Sequence, residues 1–425
     1  MLIGSVRRQL DVVHRAPGFR ALTLATLASG LGTWLAVIAL TIDVFDRTHS
    51  AKWVSALLIA DFLPAVAIGL FLGPTVDRLS RRGLMIGADL GRFIIFAALP
   101  FADSARAIIF LAFVAGIATG FFRPAVYAGV PNLVEQRDLP SANALLRVIE
   151  MVTLTLGTLV GGITVAASGP HAAYWVNAAS FLISASLLAG IPRTKLQTAP
   201  ASSRGHWRDV AEGFALVRRS RALLTVFVVW NLVMLPAGAV NVAEVALAKV
   251  SFNAGDLGFG LMWTATGLGQ ALGSLLAVQW LDKRGLRFVY GGAIALLAFG
   301  DLTAAASPTV WVALWCVALG GAGNGAAHVY NVLLVQRGAP DHLRGRAFTV
   351  IMSATFTAFG VGMIVGGPLT DQFGARWVYA GAGAIAVVAA LAGRALSRNV
   401  PDRAEDEGES VRGDAEEARP VSVPS

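Results

Sequence analysis

The chain has 425 residues, 56% of them hydrophobic and 14% charged, and its mean hydropathy is +0.65. Soluble domains carry roughly 25% charged residues, so this composition excludes an ordinary soluble fold, and the apolar residues collect into runs of membrane-spanning length. The net charge of +8 does not point to nucleic acid: lysine and arginine sit in short clusters at the ends of apolar runs, without an aromatic-interleaved basic stripe.

Residues 1–18 are polar and basic, with Arg7, Arg8, His14 and Arg15. The apolar run that follows, 21–44, is longer than the roughly 7–15 residues of a signal-peptide core and reads as a retained membrane helix. Crossing about 30 Å of hydrocarbon takes about 20 apolar residues. By that measure further spans lie at 53–75, 84–101, 106–127, 143–166 and 172–191. Residues 192–220 form the longest internal polar stretch, with Arg193, Lys195, Arg204, Arg208, Arg218 and Arg219; within it, Trp207 to Val217 suits a short surface helix. Spans resume at 222–247, 257–280, 288–306, 310–334, 347–370 and 377–396. The tail from Ser397 is rich in Asp, Glu and Arg, a composition expected to be disordered. The single cysteine, Cys316, lies in an apolar run and allows no intramolecular disulfide.

Loop charge sets an expected orientation. With the N-terminus in the cytoplasm, the inner loops hold Arg78, Arg81, Arg82, Arg137, the 192–220 stretch, Lys283, Arg284, Arg287, Arg337, Arg344 and Arg346. The outer loops hold only Arg47, Lys52, Arg106, Lys249 and Arg376. The excess of inner basic residues puts both termini in the cytoplasm.

An internal repeat organises the chain. Asp77 recurs as Asp282, and the same offset of 205 residues links Gly116 with Gly321, Gly120 with Gly325, Gly157 with Gly362, Gly161–Gly162 with Gly366–Gly367, Gly169 with Gly374 and Tyr174 with Tyr379. The expected fold is an all-α membrane protein whose twelve transmembrane helices form two six-helix bundles related by a parallel repeat. The divisions are an N-terminal bundle (1–191), a cytoplasmic linker (192–220), a C-terminal bundle (221–396) and the tail (397–425).

Ionisable residues at membrane depth are costly and are functional candidates by default. Asp61, midway along the second span and three residues before Pro64, could take up and release a proton during a cycle; the alternative is a carboxyl hydrogen-bonded for packing. Glu244, deep in the seventh span, could do the same in the other half, or lie beyond the helix end. Arg123, beside Pro124 in the fourth span, either joins proton transfer or snorkels to headgroups. His328 is its repeat partner and reads more simply as a packing residue, while Asp43 and Asp46 mark the outer end of the first helix.

The loop Gly73-Pro74-Thr75-Val76-Asp77-Arg78-Leu79-Ser80-Arg81-Arg82 resembles the cytoplasmic signature of the major facilitator superfamily, departing at Thr75 and Ser80. The second copy keeps Asp282 and Lys283, with Val278 in place of the glycine. Arg123-Pro124-Ala125, Pro131-Asn132-Leu133-Val134, Leu139-Pro140-Ser141-Ala142-Asn143-Ala144-Leu145, Asn177-Ala178-Ala179-Ser180-Phe181 and Leu343-Arg344-Gly345-Arg346 are similar to the proton-linked drug-antiporter branch, which contains macrolide exporters and the enterobactin exporter. Ala88-Asp89-Leu90-Gly91-Arg92 in the third span agrees. The branch's fifth-span Gly-Pro-x-x-Gly-Gly appears here as Gly157-Thr158-Leu159-Val160-Gly161-Gly162, without the proline.

The resemblance implies a latch of Gly73, Asp77, Arg78, Arg81 and Arg82 that holds the outward-facing state, with Arg147, Asp89 and Arg92 as partners. It also implies a cavity between helices one, four, seven and ten, with Trp34, Tyr127, Trp230, Asn231, Asn241, Asn324 and Asn331 as liners, suited to a bulky amphipathic molecule. No phosphate loop, zinc motif or nucleophile elbow is present. The expected function is therefore non-enzymatic and cofactor-free: a monomeric secondary carrier in the bacterial cytoplasmic membrane, exporting a drug, siderophore or secondary metabolite by proton antiport. An uncoupled facilitator or lipid transporter of the same fold, and a non-transporting receptor, are the competing readings.

Overall fold

The computed structural model describes residues 11–71, 80–196, 206–284, 286–340 and 343–396, and among these every regular element is helical. That is the form lipid demands, since a helix satisfies its own backbone hydrogen bonds without water. The helices are α1 (Pro17–Thr48), α2 (Ala51–Phe71), α3 (Arg81–Ala98), α4 (Ala105–Gly129), a run Leu139–Ala189 that forms α5 and α6, α7 (His206–Arg219), α8 (Arg221–Ala246), α9 (Gly255–Arg284), α10 (Leu286–Ala306), α11 (Val310–Gly338), α12 (Arg344–Phe373) and α13 (Ala375–Leu396). Four of them start at a side chain that accepts from the first turn: Ser80 from Gly83 N, Ser104 from Ala107 N, Ser220 from Leu223 N and Thr309 from Val312 N.

The run Leu139–Ala189 is 51 residues long, far more than one crossing needs. It breaks at Gly169, whose φ of 77° and ψ of 173° only glycine adopts readily, and Pro170 follows; α5 is 139–168 and α6 is 170–189. Gly374, with φ 88° and ψ 155°, makes the same turn between α12 and α13. Among the described residues ten helical segments are long and apolar enough to cross a membrane, a count that takes α5 and α6 as one and leaves out α9. Helices α1, α9, α11 and α12 run longer than the sequence spans because their polar ends continue past the apolar stretch. In the polar stretch after α6, α7 is the surface helix expected there.

Among the described residues the most extensive helix contacts, apart from α9 with the α5–α6 run and α12 with α2, fall within one group, α1–α6, or within another, α8–α13. α1 lies along α5 and α6, α2 along α4, and α3 along α4 and the α5–α6 run; α8 lies along α12 and α13, α9 along α11, and α10 along α11 and α13. Close backbone approach through glycine does this in lipid, where hydrophobicity alone cannot drive helices together. A Cβ on Gly116 would strike the Asp61 carbonyl, and one on Gly321 would strike the Thr266 carbonyl, the same contact 205 positions on. α7 packs on α12 and α8, with Glu212 paired to Arg346.

The cores distinguish the two ends of the molecule. At the end holding the α1–α2 turn, one hydrophobic core is common to both groups, running from Leu35, Ile42 and Val54 through Tyr174 to Val242, Phe259 and Tyr379. At the other end each group has its own core: Phe19, Leu22, Met85, Val126 and Leu146 in one, and Leu223, Trp230, Tyr290, Tyr330 and Ile351 in the other. The groups are fused at one end and parted at the other.

Candidate functional site

Where the groups part, five side chains from α4, α5 and α11 meet. Arg123 and Tyr127 are one turn apart on α4, and Arg147 and Glu150 are one turn apart on α5, so each pair shares a helix face. Glu150 Oε1 accepts from Arg123 at 2.9 Å and from the Tyr127 hydroxyl at 2.7 Å, while Oε2 accepts from Arg147 at 2.8 Å. Arg147 reaches the second group, donating to His328 Nε2 at 3.0 Å. The His328 ring lies 6.2 Å from that of Trp230, which is buried in the α8 core. The Arg123 and Arg147 side chains are 66% and 54% exposed, so the cluster faces an open cleft.

Two acidic centres lie elsewhere. Asp61 is half-buried in α2, its backbone pressed on Gly116 of α4, and among the described residues its carboxylate has no hydrogen bond or ion pair. It lies in the field of Arg92. Arg92 and Asp89 form a buried pair at 2.5 Å, with Ser184 donating to the other Asp89 oxygen at 2.6 Å and the rings of Phe122 and Phe181 4.4 and 4.3 Å from the guanidinium. Glu244 sits inside α8 rather than beyond its end, 6% exposed, with Oε1 unpartnered among the described residues. Asp301 of α10 interacts with it electrostatically. Asp301 and Glu150 were not singled out from sequence, although each is a carboxylate in or beside an apolar run, the signal that selected Asp61.

Gly73, Asp77 and Arg78 of the expected latch lie outside the described residues. Arg81 donates to the Ala128 carbonyl at 2.7 Å and Arg82 to that of Ala189 at 2.5 Å, tying the start of α3 to α4 and α6. The structure brings Arg147 to Glu150 and His328, and Asp89 and Arg92 to each other. Of the expected cavity residues, Tyr127 is in the cleft and Trp34 pairs with Trp263 of α9 at 5.8 Å. Asn231 bonds its own helix at the Phe227 carbonyl at 2.6 Å. Asn331 is buried and accepts from Tyr290 at 2.7 Å. Asn241 and Asn324 are half-buried.

The fused end is closed by contacts between the groups. Gly162 of α5 and Gly260 of α9 meet so closely that a Cβ on Gly260 would lie 2.7 Å from the Gly162 Cα. Thr158 and Thr264 hydroxyls are 3.3 Å apart beside them. On the other seam Asp371 of α12 caps α2, accepting from Ser50 Oγ and Ala51 N, each at 2.6 Å. Ser55 donates to the Met363 carbonyl, and Lys249 bridges Asp46 at 2.5 Å and Asp256 at 2.6 Å. Toward mid-depth Phe62 stacks edgewise on Phe356 and Phe359 at 6.0 and 5.7 Å.

Known proteins share this architecture. Residues 13–417 match the family described as transmembrane secretion effector, within the major facilitator superfamily. The chain is 25% identical over 382 residues to the uncharacterized MFS-type transporter YfiS of Bacillus subtilis, covering 88% of this chain and 92% of that one. It is 27% identical over 375 residues to the multidrug efflux pump Tap of Mycolicibacterium fortuitum, covering 82% and 88%. It is 24% identical over 361 residues to the putative bacilysin exporter BacE of Bacillus amyloliquefaciens, covering 82% and 88%. Among solved structures, the nucleoside transporter NupG superposes with a TM-score of 0.72 at 16% identity, covering 90% of this chain and 99% of that one. A bacterial homologue of the lysosomal transporter Spinster, in an inward-facing and unoccupied conformation, superposes with a TM-score of 0.71 at 12% identity, covering 90% and 96%. The chain is thus a multi-pass membrane transporter and not an enzyme, and it belongs to the transmembrane secretion effector family of the major facilitator superfamily.

Proposed function

We propose that the protein exports an amphipathic small molecule from the bacterial cytoplasm by proton antiport and alternating access. One observation carries this reading: the two helix groups share a core at one end and have separate cores at the other, with charged side chains exposed between them. A carrier that rocks two bundles about a central site has this form when one gate is shut. The groups are the repeated bundles of 1–191 and 221–396, joined by the 192–220 linker and comprising twelve spans once the break at Gly169 and helix α9 are counted. The parted end carries Arg81, Arg82, Arg137, Arg218, Arg219, Arg337, Arg344 and Arg346, so the positive-inside bias puts that end and both termini in the cytoplasm. The cleft then opens inward, ready to load.

The names of Tap and BacE support export of drugs or metabolites. The loop bearing Gly73, Asp77 and Arg78 would latch the opposite, outward-facing state. Asp61 is the leading coupling group because it is ionisable, midway along a spanning helix and, among the described residues, without a hydrogen-bonded partner; Glu244 with Asp301 is the second, and Arg123 the third. The test is accumulation of an amphipathic dye in an efflux-deficient bacterial host, for the intact protein and Asp61→Asn, with and without an uncoupler. Lower accumulation that vanishes with the uncoupler and in the variant supports proton-driven export through Asp61. Lower accumulation that ignores the uncoupler means export driven by something other than the proton gradient, and unchanged accumulation with full expression removes the export reading and leaves an uncoupled facilitator.

A further inference from the structure

The cleft cluster is not balanced in charge. Two guanidinium groups share the single carboxylate of Glu150, whose oxygens are already taken by Arg123, Tyr127 and Arg147. His328 does not supply a counter-charge, because its Nε2 faces a guanidinium donor and must accept, which leaves the ring neutral. Among the described residues no second carboxylate pairs with either arginine, so one positive charge is left over. Charged side chains on membrane-spanning helices that face the interior of the bundle mark a substrate or ion path.

The geometry leaves that charge free to bind. Arginine carries five N–H donors in a rigid fork that matches carboxylate and phosphate. Arg123 commits one terminal nitrogen to Glu150, and Arg147 commits its two to Glu150 and His328, so donors on both remain toward the cleft. Trp230 backs the His328 ring from the α8 core, and the seam toward the closed end carries the Trp34–Trp263 pair and Phe62 with Phe356 and Phe359. We propose that Arg123 and Arg147 bind the anionic head of the substrate, a carboxylate or phosphate, while its apolar body lies toward these aromatic rings. The site so defined rests on the transport reading above and narrows its substrate to amphipathic anions. Glu150 fixes the two arginines and competes with the ligand for them.

The experiment uses the full chain in lipid nanodiscs and three fluorescent probes that share one apolar body: dansyl-undecanoate, its uncharged primary amide, and its trimethylammonium analogue. The carboxylate is expected to bind about tenfold or more tighter than the amide, the scale of a charge-assisted hydrogen bond. Arg123→Gln and Arg147→Gln each erase most of that preference while amide binding stays, and Arg147→Lys keeps part of it. Glu150→Gln raises carboxylate affinity, because the competing anion is gone. Nanodiscs of phosphatidylcholine alone and with phosphatidylglycerol tell the sources of the anion apart: competition by the anionic lipid marks a headgroup, and none marks a soluble amphiphile. Equal binding of the three probes, preference for the ammonium, weaker carboxylate binding in Glu150→Gln, or no binding of any probe overturns the proposal. Such a failure leaves dye export in cells untouched, whereas lost export with intact carboxylate selectivity strikes the transport reading and spares the site.

Discussion

Arg147 on α5 donates to His328 on α11 at 3.0 Å, joining the two helix groups at a depth where their hydrophobic cores are separate. A polar bridge across a parted seam adjusts cheaply when the groups rock, since either partner can turn to water in the cleft. His328→Gln keeps an acceptor and should transport near the intact rate. His328→Phe keeps the ring beside Trp230, removes the acceptor, and should slow efflux several-fold, about the worth of one hydrogen bond to a charged group. Initial efflux rates at matched expression decide it; equal rates for both variants would remove the bridge from the cycle.

Closure of the opposite end depends on Gly162 against Gly260. A side chain there separates α5 from α9, because the added Cβ meets backbone rather than a flexible side chain. Gly260→Val is expected to insert normally yet transport at background level. A cysteine placed at Thr264, in a Cys316→Ser background, should then react with an impermeant maleimide from outside, whereas in the unmutated glycine background it is shielded.

Asp371 gives α2 its amino-terminal cap from the other helix group. Loss of a cap costs about 0.5–2 kcal/mol, and here the cost falls on the closed end alone. Asp371→Ala should therefore shift the population toward outward opening by about fivefold, read as faster maleimide labelling of the same Thr264 cysteine. Unchanged labelling would mean that the glycine seam alone holds the gate.

The Asp89–Arg92 pair is expected to act through stability. Both side chains are buried, and removing one partner from such a pair costs about 3–5 kcal/mol. Asp89→Ala should lower the detergent melting temperature and the membrane yield, and Asp89→Ala combined with Arg92→Met should restore much of both. If the single variant melts like the intact protein, water or lipid compensates Arg92.

Much of the fold was legible in the sequence because lipid imposes a simple rule: outside closed β-barrels, a spanning segment must be helical and about 20 residues long. The offset of 205 residues was readable for a physical reason as well. Gly116 and Gly321 occupy the same backbone crossing, and Gly169 and Gly374 the same left-handed turn, so neither position tolerates a side chain. The cluster was harder to read. Arg123 and Tyr127 were visible as candidates on α4, but Glu150 and His328 are 27 and 181 residues from their partners Arg123 and Arg147, and helix periodicity says nothing about which faces meet across a cleft. Asp301 shows the cost of picking one acid per half: it lies inside an apolar run as plainly as Asp61 does. Arg147, expected with the loop latch, contacts Glu150 and His328 among the described residues, which do not include Asp77 and Arg78.

The central claim is uphill export coupled to protons, and everted membrane vesicles test it most directly. With the vesicle interior made acidic, a fluorescent amphipathic dye should accumulate inside against its gradient, collapse on addition of an uncoupler, and fail to accumulate in Asp61→Asn. Equilibration of the dye to equal concentrations, at the same rate with and without the pH gradient, would contradict the claim and make the protein an uncoupled facilitator.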